Sequence, residues 1–160
     1  MRVVVAAFGN ELRGDDGFGI AVLRRLEASE LPLRATGVTF LEVGTAGLRL
    51  AQELLTPCDR LIVIDAMSRG GQPGTVYVLK VDEVPAARDV DMHLAVPSRA
   101  LSVAQALGAL PPETYLVGCE PSDVDELTME LSDRVQAAVD VAANHVHSLI
   151  GERDDERPSP

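Results

Sequence analysis

Aromatic residues are scarce in this 160-residue chain: they make up 3% of it, and tryptophan is absent. A core has to be assembled from Val, Leu, Ala and Ile instead, which a 46% apolar composition permits within one domain. Basic side chains are also few, 14 Lys and Arg against 25 Asp and Glu, for a formal net charge of −11. That excess repels nucleic-acid phosphates and anionic membranes and favours basic or cationic partners. Cysteine occurs twice, at Cys58 and Cys119, never as a C-x-x-C pair. Without a secretory pattern at the N-terminus, two such residues read as buried reduced thiols rather than a disulfide. Long hydrophobic runs are missing too. The stretch from Val3 to Phe8 is typical, far short of the roughly 20 residues that span a bilayer. The expectation is a cytoplasmic monomer with no nucleic-acid or membrane partner.

What is present is an alternation of two patterns. Short apolar runs suit strands buried on both faces: "RVVVAAF" (2–8), "GVTFLEV" (37–43), "RLIVIDAM" (60–67) and "TYLVGC" (114–119). "TVYVLKV" (75–81) alternates like an edge strand and follows the loop "SRGGQPG" (68–74). Between them, helical spacing predicts helices over 16–28, 45–55, 97–110 and 127–150. Residues 82–96 read as irregular, and the polar tail 151–160 as disordered. There is no internal repeat. Strands alternating with helices give an α/β sandwich, helices on both faces of a largely parallel sheet, in one domain over 1–150. Ligands of such sheets bind beyond the carboxyl ends of the strands.

The first of those ends carries "GNELRGDDGFG" (9–19). Gly9 and Gly14 have the spacing of a phosphate-binding loop, but Asp15 and Asp16 stand where it needs Lys and Ser or Thr. Either aspartate is a natural helix N-cap. One helix needs only one cap, so the second carboxylate is left over. Asp65 ends the third apolar run, where a carboxylate is costly unless it is hydrogen-bonded, paired or bound to a cation. Capping a nearby loop amide would satisfy it equally. His93, in the irregular stretch, is weak evidence alone. Together, strand-end carboxylates and an imidazole suit an open site for a divalent ion such as nickel or zinc. No H-E-x-x-H, no G-x-G-x-x-G after a strand and no nucleophile elbow is present. His145 and His147, two apart on the last helix, read as surface residues. Peptidyl-tRNA hydrolase also has Gly-Asn after its first strand, but the acidic pair and the net charge disfavour an RNA substrate.

"GNELRGDDGFG", "LEVGTAGLRL", "LIVIDAM" followed by "GGQPGTVYVL", His93 and "LVGCEP" occur in the order found in hydrogenase maturation endopeptidases, and residues 1–149 resemble that family. The resemblance implies a three-layer sandwich with a five-stranded, largely parallel twisted sheet. It implies removal of a C-terminal peptide from a [NiFe]-hydrogenase large-subunit precursor after nickel insertion, with nickel arriving on the precursor and no organic cofactor. The family's nickel-sensing ligands fall on Asp16, Asp65 and His93, and Asp65 with Asp16 would serve catalysis. Asp16 stands where Glu is common in the family, Leu94 where Gln or Glu follows the histidine, and Glu130 and Asp133 where Gly and Pro flank the final helix. Those last replacements leave room for an alternative, a nickel-binding accessory protein without proteolytic activity.

Overall fold

A computed structural model describes residues 1–29, 37–45, 47–81, 108 and 110–151. The described residues form one five-stranded sheet: β1 (Val3–Phe8), β2 (Val38–Gly44), β3 (Arg60–Ala66), β4 (Val76–Lys80) and β5 (Glu113–Cys119), in the order β2-β1-β3-β5-β4. All pairings are parallel except β4 against β5. The expected α/β architecture is therefore the observed one. β1 and β3 are buried along their whole length, as their unbroken apolar runs require, whereas β4 is a half-exposed antiparallel edge.

Alternation along the central strands divides the core in two. Val3, Val5 and Ala7 of β1 with Ile62 and Ile64 of β3 meet α1 (Phe18–Glu27) and α3 (Asp133–Gly151). Val4, Ala6 and Phe8 with Leu61 and Val63 point to the other face, against Leu50 of α2 (Leu48–Glu53), Leu54 and Cys58. Helices thus cover both faces.

Three helices are shorter than their periodicity predicts. The turn Gly14–Gly17 is 3-10, so α1 starts at Phe18 rather than Asp16. The second helix occupies Leu48–Glu53 of the expected 45–55. The last begins at Asp133 rather than Leu127, because Thr128 bridges to Arg13 and its neighbours Leu127 and Met129 face solvent. Gly108 has a φ of 71°, so the helix expected over 97–110 does not run to its predicted end. The rest of that helix, residues 82–96 with His93, and the tail beyond Gly151 lie outside the described residues.

Cys58 and Cys119 are both free and buried, as expected of reduced thiols. No helix among the described residues is long and apolar enough to cross a membrane.

Candidate active site at the ends of strands one and three

The chain leaves β1 toward β2 on one side and returns to place β3 on the other, so the crevice between the ends of β1 and β3 is the sheet's switch point. Two glycines let other segments close on it. A Cβ at Gly19 would sit 2.4 Å from the Phe8 carbonyl oxygen and 2.6 Å from that of Ile64, so only glycine allows α1 to start directly over both strand ends. Gly9, with φ of 126°, turns the chain out of β1. A Cβ there would lie 2.0 Å from the backbone oxygen of Asp16 and 3.8 Å from Oδ1 of Asp65. The backbone of Asp16 and the carboxylate of Asp65 thus both close on Gly9. The structure unites these two sequence-predicted residues; His93 lies outside the described residues.

Both carboxylates are nearly withdrawn from solvent, Asp16 at 9% exposure and Asp65 at 5%. Oδ2 of Asp16 accepts the Asn10 N–H at 3.0 Å, while Asn10 turns its own Oδ1 to the Leu12 N–H. Oδ1 of Asp65 accepts the Ala66 N–H at 2.8 Å. One oxygen of Asp65 thus accepts a backbone amide, though it is that of the next residue in β3 and not of a loop. Register places Asp65 opposite Gly118 of β5, whose missing side chain makes room for Met67.

Asp15 does something else. No side chain caps α1, so the N-cap reading of the acidic pair fails. The Asp15 carboxylate instead turns away and accepts N–H bonds from Ser122, Asp123 and Ser132, together with the Ser132 hydroxyl, at 2.7–3.2 Å. It is a strut that fastens the loop after β5. The leftover carboxylate of the pair is therefore Asp16, whose Oδ2 is held by the Asn10 N–H directly after Gly9. No cluster of three or more candidate metal ligands exists among the described residues, which exclude His93.

One residue escaped the sequence reading. Glu120, directly after β5, is buried and accepts the N–H groups of Arg69 and Gly70 and the Tyr77 hydroxyl. It holds the loop that follows Asp65. Its signal was available: like Asp65, it is an acid at the end of an apolar strand. His145 is exposed and His147 half-buried on α3, where burial and the Arg25 charge hold the His147 imidazole below its ordinary pKa. Neither joins the site, as expected.

The fold and crevice define a class: an open α/β protein that carries a pair of nearly buried carboxylates beside its switch point. Residues 20–149 match the family model described as hydrogenase maturation protease, and the chain belongs to that family. It is 36% identical to the hydrogenase expression/formation protein HupD of Rhizobium leguminosarum bv. viciae, over 92% of this chain and 75% of that protein. It is 30% identical to the hydrogenase 2 maturation protease of Escherichia coli K12, over 95% of this chain and 92% of that one. Its backbone is similar to that of the hydrogenase maturating endopeptidase HybD from E. coli (TM-score 0.80, 29% identity, 94% of this chain and 92% of that one). It is also similar to the [NiFe] hydrogenase maturation protease HybD from Thermococcus kodakarensis (TM-score 0.75, 33% identity, 94% and 99%). Three of these four relatives are proteases or endopeptidases by name, which favours the peptidase reading over the accessory one.

Proposed function

We propose that the chain hydrolyses one peptide bond of a [NiFe]-hydrogenase large-subunit precursor, releasing its C-terminal extension after nickel has been inserted. The observation that carries this reading is the convergence of Asp16 and Asp65 around Gly9 in a member of this family. Two largely buried carboxylates carried on the segments that close on Gly9 are donors of the type a divalent cation takes. Nickel enters as part of the substrate, and Asp16, Asp65 and His93 are the residues that would receive it.

The chemistry falls to Asp65. Its carboxylate takes a proton from the attacking water as the water oxygen bonds to the scissile carbonyl carbon. The same proton then passes to the leaving amine nitrogen as the carbon–nitrogen bond breaks. The bond from Ala66 N–H fixes one oxygen and so orients the carboxylate. The bond from Asn10 N–H holds Asp16 in its share of the site. In this reading the enzyme is aspartic in type, cytoplasmic and monomeric, and the metal selects which precursors are cut.

Nickel-loaded and metal-free precursor incubated with the same enzyme test this. The loaded form is expected to lose its extension and the metal-free form to stay intact; equal cleavage of both removes nickel from recognition. Asp65→Asn keeps an oxygen for the Ala66 N–H but loses the base, so cleavage should fall about 10²–10⁴-fold with the fold retained. An unimpaired variant would take the base role from Asp65.

A further inference from the structure

We propose that Leu12, Leu127 and Met129 form the surface on which the precursor's protein body docks, through apolar side chains flanked by basic ones. This rests on the peptidase reading and adds where the partner is held. The three side chains are 56%, 83% and 66% exposed. They are neighbours because Arg13 and Thr128 pair in a parallel bridge, with Leu12 and Leu127 one residue before it and Met129 one after. The bridge lies on the loop that leads from Gly9 to Asp16, so the patch and Asp16 are carried by one segment of chain.

A mobile loop hides its large apolar side chains against the nearest core, and this one is held from doing so. The Asp15 carboxylate fastens it at Ser122, Asp123 and Ser132, and Gly14 N–H donates to the Thr128 carbonyl at 2.9 Å. Asp123 Oδ1 caps the turn by accepting from Asp125 and Glu126 N–H, and the Thr128 hydroxyl oxygen accepts from Glu130 N–H. Apolar surface kept exposed on a fastened loop is the sign of a partner site, since little ordering entropy remains to oppose binding.

Charge chooses the partner. Exposed Asp123, Asp125, Glu126 and Glu130 lie on the same loop as Leu127 and Met129, and between residues 123 and 130 that loop carries no basic residue. Asp123, Glu126 and Glu130 also line an adjoining cleft of about 210 Å³. A second copy of this chain seated face to face would oppose these acids to themselves, and like charges in apposition are strongly unfavourable. A partner offering apolar side chains within a basic rim meets both features.

The test uses the full chain and nickel-loaded large-subunit precursor carrying its extension. The double variant Leu127→Ser/Met129→Ser should raise KM at least about tenfold with kcat at saturation unchanged. Glu126→Gln/Glu130→Gln should raise KM less and flatten its dependence on salt. Leu55→Ser, at an exposed leucine beyond α2, should change neither constant. An unaltered KM in the double variant overturns the proposal. So does sedimentation showing a wild-type dimer that the double variant dissolves, which would assign the patch to a second copy. If the wild type cuts no precursor, the peptidase reading fails separately, and direct binding decides docking. Binding that the double variant loses supports it; binding that is absent, or equal in both, overturns it.

Discussion

Cys119 ends β5 as a fully buried thiol, with the carboxylates of Asp15 and Glu120 close to it. Burial first, and then the negative charge of those neighbours, pushes its pKa from 9.0 up to about 12. Burial likewise raises Cys58, against the opposing charge of Arg2. A nucleophilic cysteine needs the opposite shift and some access to solvent. Both thiols are packing residues. In the native protein neither should react with a disulfide reagent at neutral pH, and both should do so in denaturant. A pH consequence follows, because the folded state holds the Cys119 proton that the unfolded chain releases near 9.0. The stabilisation is complete below pH 9 and is lost as pH rises toward 12, with a slope of up to about 1.4 kcal/mol per pH unit. Urea titrations of wild type and Cys119→Ala at pH 8 and pH 10.5 measure it. The wild type should lose more stability over that interval; an equal loss in both would show that the thiol does not titrate as stated.

Asp15 acts at the scale of an element, since one carboxylate fastens both ends of the connection between β5 and α3. It is 1% exposed, and replacing it with alanine leaves three N–H groups and a hydroxyl without their acceptor. Asp15→Ala should cost about 2–4 kcal/mol, more than a surface change and less than the sum of four bonds, because water reaches part of the opened loop. Denaturant unfolding checks the value, and a loss under 1 kcal/mol would mean the loop stands without its strut. This strut also marks where the sequence stopped being readable. β1, β3 and β5 were legible because burial on both faces demands unbroken apolar runs. Asp65 was legible because an acid within such a run needs a reason to be there. The separate tasks of Asp15 and Asp16 were not, since the partners that distinguish them lie more than a hundred residues away for one and six for the other. The start of α3 was lost for the same cause. Residues 127–132 carry helical spacing, but Thr128 pairs with Arg13, and a tertiary bond there outweighs local preference. Glu120 carries the same signature as Asp65, an acid at the end of an apolar strand.

Over the whole molecule, the net charge of −11 sets two electrostatic effects against each other. Compaction brings like charges together, and salt relieves that repulsion. Salt also weakens the ion pairs, of which the described residues hold Arg2–Glu53, Arg24–Glu11, Arg25–Asp140 and Arg60–Glu113. Arg24 and Arg25 are more than half exposed, and such pairs contribute about 0–1 kcal/mol each. Arg60 is different. It is buried, bonded to Glu113 and the Leu149 carbonyl, and lies over the Tyr115 ring, where ions in solution screen it little. With a net charge of −11 against three weak screenable pairs, repulsion is expected to outweigh the attractions that salt removes. Raising sodium chloride from 10 to 150 mM shortens the screening length from about 30 Å to about 8 Å, the range over which surface acids on one small domain act on each other. The melting temperature at pH 7 should rise over that interval, by about 2–4 °C for each kcal/mol of repulsion relieved. Calorimetry at fixed protein concentration reads it directly, and the concentrations stay below those at which salts act through water structure. A melting temperature that falls with salt would mean that the exposed pairs stabilise this fold more than its excess of acid opposes it.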